Sequence, residues 1–259
     1  MDPKDVQIAR ISRNLLTLAD SASELSKRKP ESKQESSEDR RSAETKPDAP
    51  SASARSPRKK GRAAVVAWDL SHNPVGRAYV LCKLLEADYD VDLVGPIWTR
   101  YGHELWSPLK DAGLNVRAFR CANLDEFVPK ANLLAATVKY DVVYVCKPRL
   151  PSVYLGTLIK QSSNCTMVLD VDDFELSFFK DESNADLEEI SAQADSALNE
   201  PFEELGTRYC QSLIPEFDAV TVSNIALRDK FGGHIVRHAR DEEQFTICPN
   251  TRQAARERL

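Results

Sequence analysis

The most regular pattern along this chain is an apolar run, a short turn and an amphipathic stretch, repeated several times. Residues 63–68 (AAVVAW) are uninterruptedly apolar, as in a strand buried on both faces. Residues 69–76 hold the breakers Asn73-Pro74 and Gly76. Residues 77–85 then read as a helix with Val80, Leu81, Leu84 and Leu85 as its apolar stripe. The rhythm continues with a second strand over 89–96, ending at Gly95-Pro96, an aromatic-rich loop over 97–103, and a helix over 104–112. A third strand follows over 115–119, then a helix over 124–139 with Leu133, Leu134 and Val138 on its face. The fourth strand covers 141–146, and its exit loop KPRLP leads to a helix capped by Ser152 and running to about Lys160. The fifth strand is 166–171, with the acidic turn Asp172-Asp173-Phe174-Glu175 after it. Residues 185–213 read as mostly helical, 217–222 as a sixth strand, 223–231 as a helix ended by Gly232-Gly233, and 235–236 as the start of a seventh strand.

Seven short strands alternating with helices predict an α/β fold: a Rossmann-like, doubly wound parallel sheet of about seven strands over residues 63–245. Ahead of it, residues 1–29 form an amphipathic helix pattern with Ile8, Ile11, Leu15, Leu18 and Leu25 on one side. Two readings stand for this helix: it docks on the body, or it binds a partner or a membrane surface. Residues 30–62 are rich in Ser, Glu, Lys, Pro and Ala and have too little apolar surface to offset their ordering entropy, so they read as a disordered linker. Residues 246–259 are polar and read as the start of an interdomain linker or tail.

Charge divides the chain the same way. The first 62 residues hold 15 Lys/Arg and 10 Asp/Glu; with a net charge of −5 overall, the body carries −10. An acidic body argues against a nucleic-acid partner. The basic run RSPRKKGR (55–62) suits attraction to anionic headgroups, so peripheral membrane association is a further expectation. The six cysteines are scattered, without a C-x-x-C pair, and read as core residues of a reducing compartment. With no long apolar span or secretory leader pattern, the expectation is a cytoplasmic protein.

Chemistry is concentrated at the strand ends. The first loop lacks G-x-G-x-x-G, and neither a P-loop nor a G-x-S-x-G elbow occurs, which disfavours a dinucleotide enzyme, a P-loop ATPase and a hydrolase of that type. In a doubly wound sheet, ligands bind beyond the carboxyl ends of the strands. The polar residues there are His72, Asn73 and Gly76 after the first strand, and Trp98, Arg100, Tyr101 and His103 after the second. Lys147 and Arg149 follow the fourth, Asp172, Asp173 and Glu175 the fifth, and Ser223 and Asn224 the sixth. Asp172-Asp173 reads equally as a helix-capping pair or a metal-ligating pair.

Three stretches carry a resemblance: VVAWDLSHNPVGRAYVLCKLL, the pair DVVYVCKPRLPSVYLGTLIK and MVLDVDDFE, and FDAVTVSNIALRDKFGGHIVRHARDEEQF. In order and spacing they resemble the N-terminal, acceptor-side half of GT-B-fold glycosyltransferases, in particular the family-4-like group. The likeness spans residues 63–245. It implies transfer of a sugar from a nucleotide-sugar co-substrate to an acceptor glycan or lipid, usually with retention, and with neither a bound metal nor a further cofactor. Carried over, it implies Asp173 and Lys147 as catalytic candidates. For substrate binding it implies His72, Asn73, Gly76 (beside the donor phosphate), Arg149, His103 and Ser223. The family often has a His where Lys147 stands. The family's donor-binding half does not occur in this sequence, so the expectation is a fragment, a truncated gene product, or a protein whose partner supplies the donor domain. The alternatives are a non-catalytic binding or regulatory protein on the same half-fold, and another nucleotide-binding doubly wound protein.

Overall fold

The computed structural model describes residues 59–192 and 203–239, together with positions 253, 256 and 257. The amphipathic pattern of residues 1–29, most of the linker and the tail lie outside the described residues.

The body is one seven-stranded, all-parallel sheet in the order β3-β2-β1-β4-β5-β6-β7. The strands are β1 (Arg62–Ala67), β2 (Asp90–Trp98), β3 (Asn115–Cys121), β4 (Val142–Cys146), β5 (Thr166–Val171), β6 (Ala219–Val222) and β7 (His234–Ile235). The helices are α1 (Val75–Leu85), α2 (Leu124–Thr137), α3 (Leu150–Ser163), α4 (Leu187–Ala192), α5 (Glu204–Ser212) and α6 (Ile225–Phe231). The chain steps outward from β1 to β2 and β3, then returns to lay β4 on the other side of β1. That reversal puts a switch point between β1 and β4, where the loops leaving both strands diverge and open a crevice.

The continuous apolar runs are explained by burial on both faces. On one face Ala63, Val65 and Ala67 of β1 pack with Val75, Ala78, Leu81 and Cys82 of α1. On the other, Ala64 and Val66 pack with Phe127, Ala131 and Ala135 of α2 and with Val153, Leu155 and Ile159 of α3. Five cysteines (82, 121, 146, 165 and 210) are buried free thiols within this packing, and burial raises their pKa values. Cys248 lies outside the described residues. No helix among the described residues is long and apolar enough to cross a membrane.

Several expectations are corrected. Residues 104–112 form no α-helix but bends around a single 3-10 turn, Ser107–Leu109. Pro108 has no N–H to donate and restricts Ser107, and Trp106 N–H is already spent on Leu70 O at 2.9 Å. β2 does not end at Gly95-Pro96 but runs to Trp98, with Gly95 paired to Ala118 and Pro96 to Phe119. A Cβ at Gly95 would lie 2.5 Å from Ala67 O, so the glycine marks a close backbone approach rather than a break. Two helix stripes turn by one position. In α1, Leu84 is 47% exposed and the buried stripe is 75/78/81/82; in α2, Leu133 is 68% exposed and the stripe is 124/127/131/135. Ser152 is not the cap of α3: Arg149 holds that position, and the buried Ser152 hydroxyl donates to Lys147 O (2.7 Å) and Arg149 O (2.9 Å). The helix over 223–231 begins at Ile225, and the Asn224 side chain caps it, accepting from Leu227 N–H at 3.0 Å. The stretch 185–213, read as mostly helical, holds α4 and α5, and residues 193–202 between them lie outside the described residues.

Candidate functional site

The crevice at the switch point is a cleft of about 470 Å³. Asn73, Gly76 and Val80 line it from the first loop and α1, and Trp68 from the end of β1. Lys147, Arg149, Asp172 and Asp173 enter from the exits of β4 and β5, and Phe178 and His238 close the rim. Val80 faces this space, which is why it is missing from the buried stripe of its helix.

The β4 exit is held in an unusual conformation. Lys147 has φ +73°, in the left-handed region that a non-glycine side chain disfavours. Its N–H donates to Asp170 O (3.0 Å), and its carbonyl accepts from Arg149 N–H (2.9 Å) as well as from Ser152. The buried Lys147 ammonium sits among three carboxylates: Asp173 at 2.9 Å, Asp172 at 3.1 Å and Glu175 at 3.2 Å. Arg149, also buried, pairs with Glu175 and lies 5.0 Å over the Trp68 ring. Burial pushes the Asp172 carboxyl up to about 6 against the pull of Lys147. Burial works against the Lys147 charge too, but Asp172 and Glu175 outweigh it and hold the ammonium above its ordinary value. Burial lowers the Arg149 guanidinium, with Glu175 opposing.

The three carboxylates could bring one oxygen each within 4.8 Å of one another, a spacing that suits a cation. The Lys147 ammonium lies within salt-bridge distance of all three, so a metal at this cluster would have to displace it.

A second ionic network lies beneath the cleft. Arg77 on α1 reaches β5, where its Nε and Nη2 both bond Asp170 at 2.8 Å. Nη2 also donates to Val236 O (2.7 Å) and Nη1 to Arg237 O (3.3 Å), which ties α1 to the exit of β7 and places His238 on the cleft wall. Asp170 accepts further from Thr221 Oγ1 (2.7 Å), which itself accepts from Tyr144 (2.8 Å). Burial and the nearby Arg77 lower the His238 pKa.

The first loop is organised by Asp69, which is fully buried. One of its oxygens accepts from Trp98 N–H (2.8 Å); the other accepts from Ser71 N–H (2.8 Å) and Ser71 Oγ (2.6 Å) and binds His72 Nδ1. The His72 ring stacks on Tyr101 with centroids 4.6 Å apart and meets Trp68 edge-on at 5.2 Å.

The structure thus brings Asn73, Gly76, Lys147, Arg149 and Asp173 together on one cleft. His72 stands beside it in the aromatic cluster. Trp98 is a core residue whose indole N–H donates to Trp68 O (2.8 Å). His103 lies on an exposed bend away from the cleft lining. Ser223 is buried, donates to Asp172 O (2.6 Å) and so holds the acidic turn, and it is not among the residues lining the cleft. The sequence reading passed over Asp69, Arg77, Asp170, Phe178 and His238. Asp170 had a visible signal, a charge inside the otherwise apolar TMVLDV, as did Arg77 on the buried side of a helix.

No family model matches the chain, and no curated protein matches it.

Proposed function

We propose that this domain is the acceptor-side wall of a glycosyl-transfer site, the reading to which its resemblance to the N-terminal half of family-4-like glycosyltransferases leads. The observation that carries it is the charge balance of the cleft. Its cations Arg77, Lys147 and Arg149 are each held by carboxylates: Asp170 for Arg77, the acidic turn for the other two. A nucleotide diphosphate needs cations or helix N–H groups to spare. A neutral polyol needs hydrogen-bond acceptors and an apolar face. The half-exposed Asp173 carboxylate, Asn73 and the rings of Trp68 and Phe178 supply those. Gly76 leaves open space at the first turn of α1, with nothing within 4 Å of where a Cβ would stand.

In this reading the acceptor glycan, or the sugar head of a lipid acceptor, lies across the cleft. The nucleotide of the donor is held by a second unit facing the same strand ends. Closure of that unit brings the donor phosphate to the Gly76 gap, and Lys147 and Asp173 orient the acceptor. The test is transfer of labelled sugar from UDP-, GDP-, ADP- and dTDP-hexoses to a glycan and lipid extract, using the protein purified from its native source as the intact assembly. Labelled product that falls at least tenfold on Asp173→Ala is expected. Absence of product from every donor refutes the reading.

A further inference from the structure

We propose that residues 1–29 fold back as a helix onto the half of the sheet that α1 leaves uncovered, over the amino-terminal parts of β4, β5 and β6. The inference does not depend on the transferase reading. Parallel sheets occur almost only with both faces covered, because their strands are apolar on both. On the face that holds α2 and α3 the cover extends past β4, and Val143, Val145, Met167 and Leu169 are all buried. On the opposite face the only helix among the described residues is α1, which packs on β1 and β2. One row of side chains on that face runs Val65, Tyr144, Val168, Ala219. Val65 and Tyr144 are buried, whereas Val168 and Ala219 are partly exposed. In the next row toward the amino ends, Val142 is partly exposed and Thr166 exposed. Toward the carboxyl ends Arg77 closes the face by tying down the carbonyls of Val236 and Arg237. The border of the strip on the α1 side is Leu84, apolar yet 47% exposed, one turn beyond Val80.

The chain itself holds the fitting occupant. Ile8, Ile11, Leu15, Leu18 and Leu25 fall within an arc of about 100° on a helix, which makes one apolar stripe. From Ile8 to Leu25 such a helix is about 26 Å long, at about 1.5 Å per residue. That is enough to run the length of β4 and β5, at about 3.3 Å per residue. The C-terminal segment fits less well: residues 246–259 carry only Ile247 and Leu259 as large aliphatics, and Gln253, Arg256 and Glu257 are exposed. The linker delivers residues 1–29 to the correct edge. Lys59 Nζ donates to Glu86 O and Lys60 pairs with Asp88 (3.0 Å), just past the end of α1 and at the amino edge of the sheet. Residues 30–58, as flexible chain, span roughly 30 Å on average, and the tether holds the segment at about millimolar effective concentration. The net charge of +5 on the first 62 residues against −10 on the body adds attraction. A single helix of this size is marginal in water, so the packing it gains on the sheet is what stabilises it. Docking gives Leu84, Val142 and Val168 the apolar neighbours they lack and takes the stripe out of water.

The experiment uses the full-length chain with the photo-crosslinker p-benzoylphenylalanine in place of Leu15, irradiated at low concentration and mapped by mass spectrometry. Cross-links within one chain to peptides holding Leu84, Val142 or Val168 are expected. A cross-link to a second copy, to another part of the body, or none at all overturns the proposal and leaves residues 1–29 to a partner or a membrane surface. Limited trypsin digestion is the second measurement. Cleavage after Arg10 and Arg13 is expected to be at least about tenfold faster in Leu84→Asp than in the wild type, because a carboxylate on the strip opposes docking and cleavage follows the undocked population. Leu84 is exposed in the body, so this variant keeps the sheet intact, and an unchanged near-ultraviolet circular dichroism spectrum verifies it. Equal cleavage rates in the two proteins overturn the proposal whatever the cross-links show.

Discussion

Replacing Arg77 by Met keeps most of the aliphatic stem and removes the guanidinium. Asp170 then stays fully buried with Thr221 Oγ1 as a hydrogen-bond donor and no cation beside it. Removing one partner of a buried pair typically costs about 3–5 kcal/mol, because the remaining charge is uncompensated. The carbonyls of Val236 and Arg237 also lose their donor, at about 1 kcal/mol each. The sum is about 5–7 kcal/mol, against a typical domain stability of about 5–15 kcal/mol. Urea unfolding should show a large fall in midpoint, and hydrogen exchange should show β7 opening before the rest of the sheet. The decisive comparison adds Asp170→Leu. With both charges gone the penalty of an unpaired ion disappears, so the double variant should recover about 2–3 kcal/mol relative to the sum of the single changes. A single-variant cost below about 1 kcal/mol, or strict additivity in the cycle, would refute the view that this pair locks α1 to β5 and β7.

The Asp172 carboxyl, raised to about 6, binds its proton more tightly in the native state than in the unfolded chain, where it titrates near about 4. Its contribution therefore makes stability fall as pH rises through that window, by roughly 3 kcal/mol, and then level off. Denaturant titrations at pH 4.5 and 7 should lose this component in Asp172→Asn, and equal pH slopes in the two proteins would contradict it. Gly76→Ala should raise stability by about 0.5–1 kcal/mol, since it adds a helix former into open space; if Gly76 admits a donor phosphate, transfer should drop even as the melting temperature rises. Phe178→Ala, at a ring 62% exposed on the cleft rim, should change stability by less than about 0.5 kcal/mol but raise KM for the acceptor several-fold. An unchanged KM would remove Phe178 from the binding surface.

The fold was legible because doubly buried strands leave a signature that side-chain chemistry cannot disguise. Residues 63–68, 141–146 and 166–171 are apolar almost throughout, and each is observed as a central strand within one or two residues. The misreadings have local causes. Pro108 blocks the helix over 104–112, and the first-loop hydrogen bonds draw that segment onto the sheet as irregular backbone. The stripes of α1 and α2 were misplaced because Val80, Leu84 and Leu133 are as apolar as the residues that are buried. Periodicity alone does not say which of two adjacent faces meets the core. The cleft was legible as a set of strand-end residues but not as a geometry. Nothing in the spacing of Lys147 from Asp172, Asp173 and Glu175 shows that one ammonium meets all three. The Arg77–Asp170 pair spans 93 residues of sequence, beyond the reach of any local pattern. His103 and Ser223 show the converse: correct position after a strand is no guarantee of lining the cleft.

The backbone of Lys147 explains why a lysine stands at the β4 exit. A glycine would relax the left-handed φ, worth about 1–2 kcal/mol, and the chain forgoes that relief. What it gains is a cation at the point where the acidic turn after β5 comes closest to β4. Without it, the buried Asp172 and Glu175 would face each other with only Arg149 to balance them. The ammonium fixes the two exit loops to one another across the switch point. It also sets the character of the cleft. With Lys147 and Arg149 paired to the acidic turn, the half-exposed Asp173 is the carboxylate of that turn most open to the cleft. The left-handed backbone at one residue and the neutralisation of the buried acidic turn are therefore consequences of the same contact.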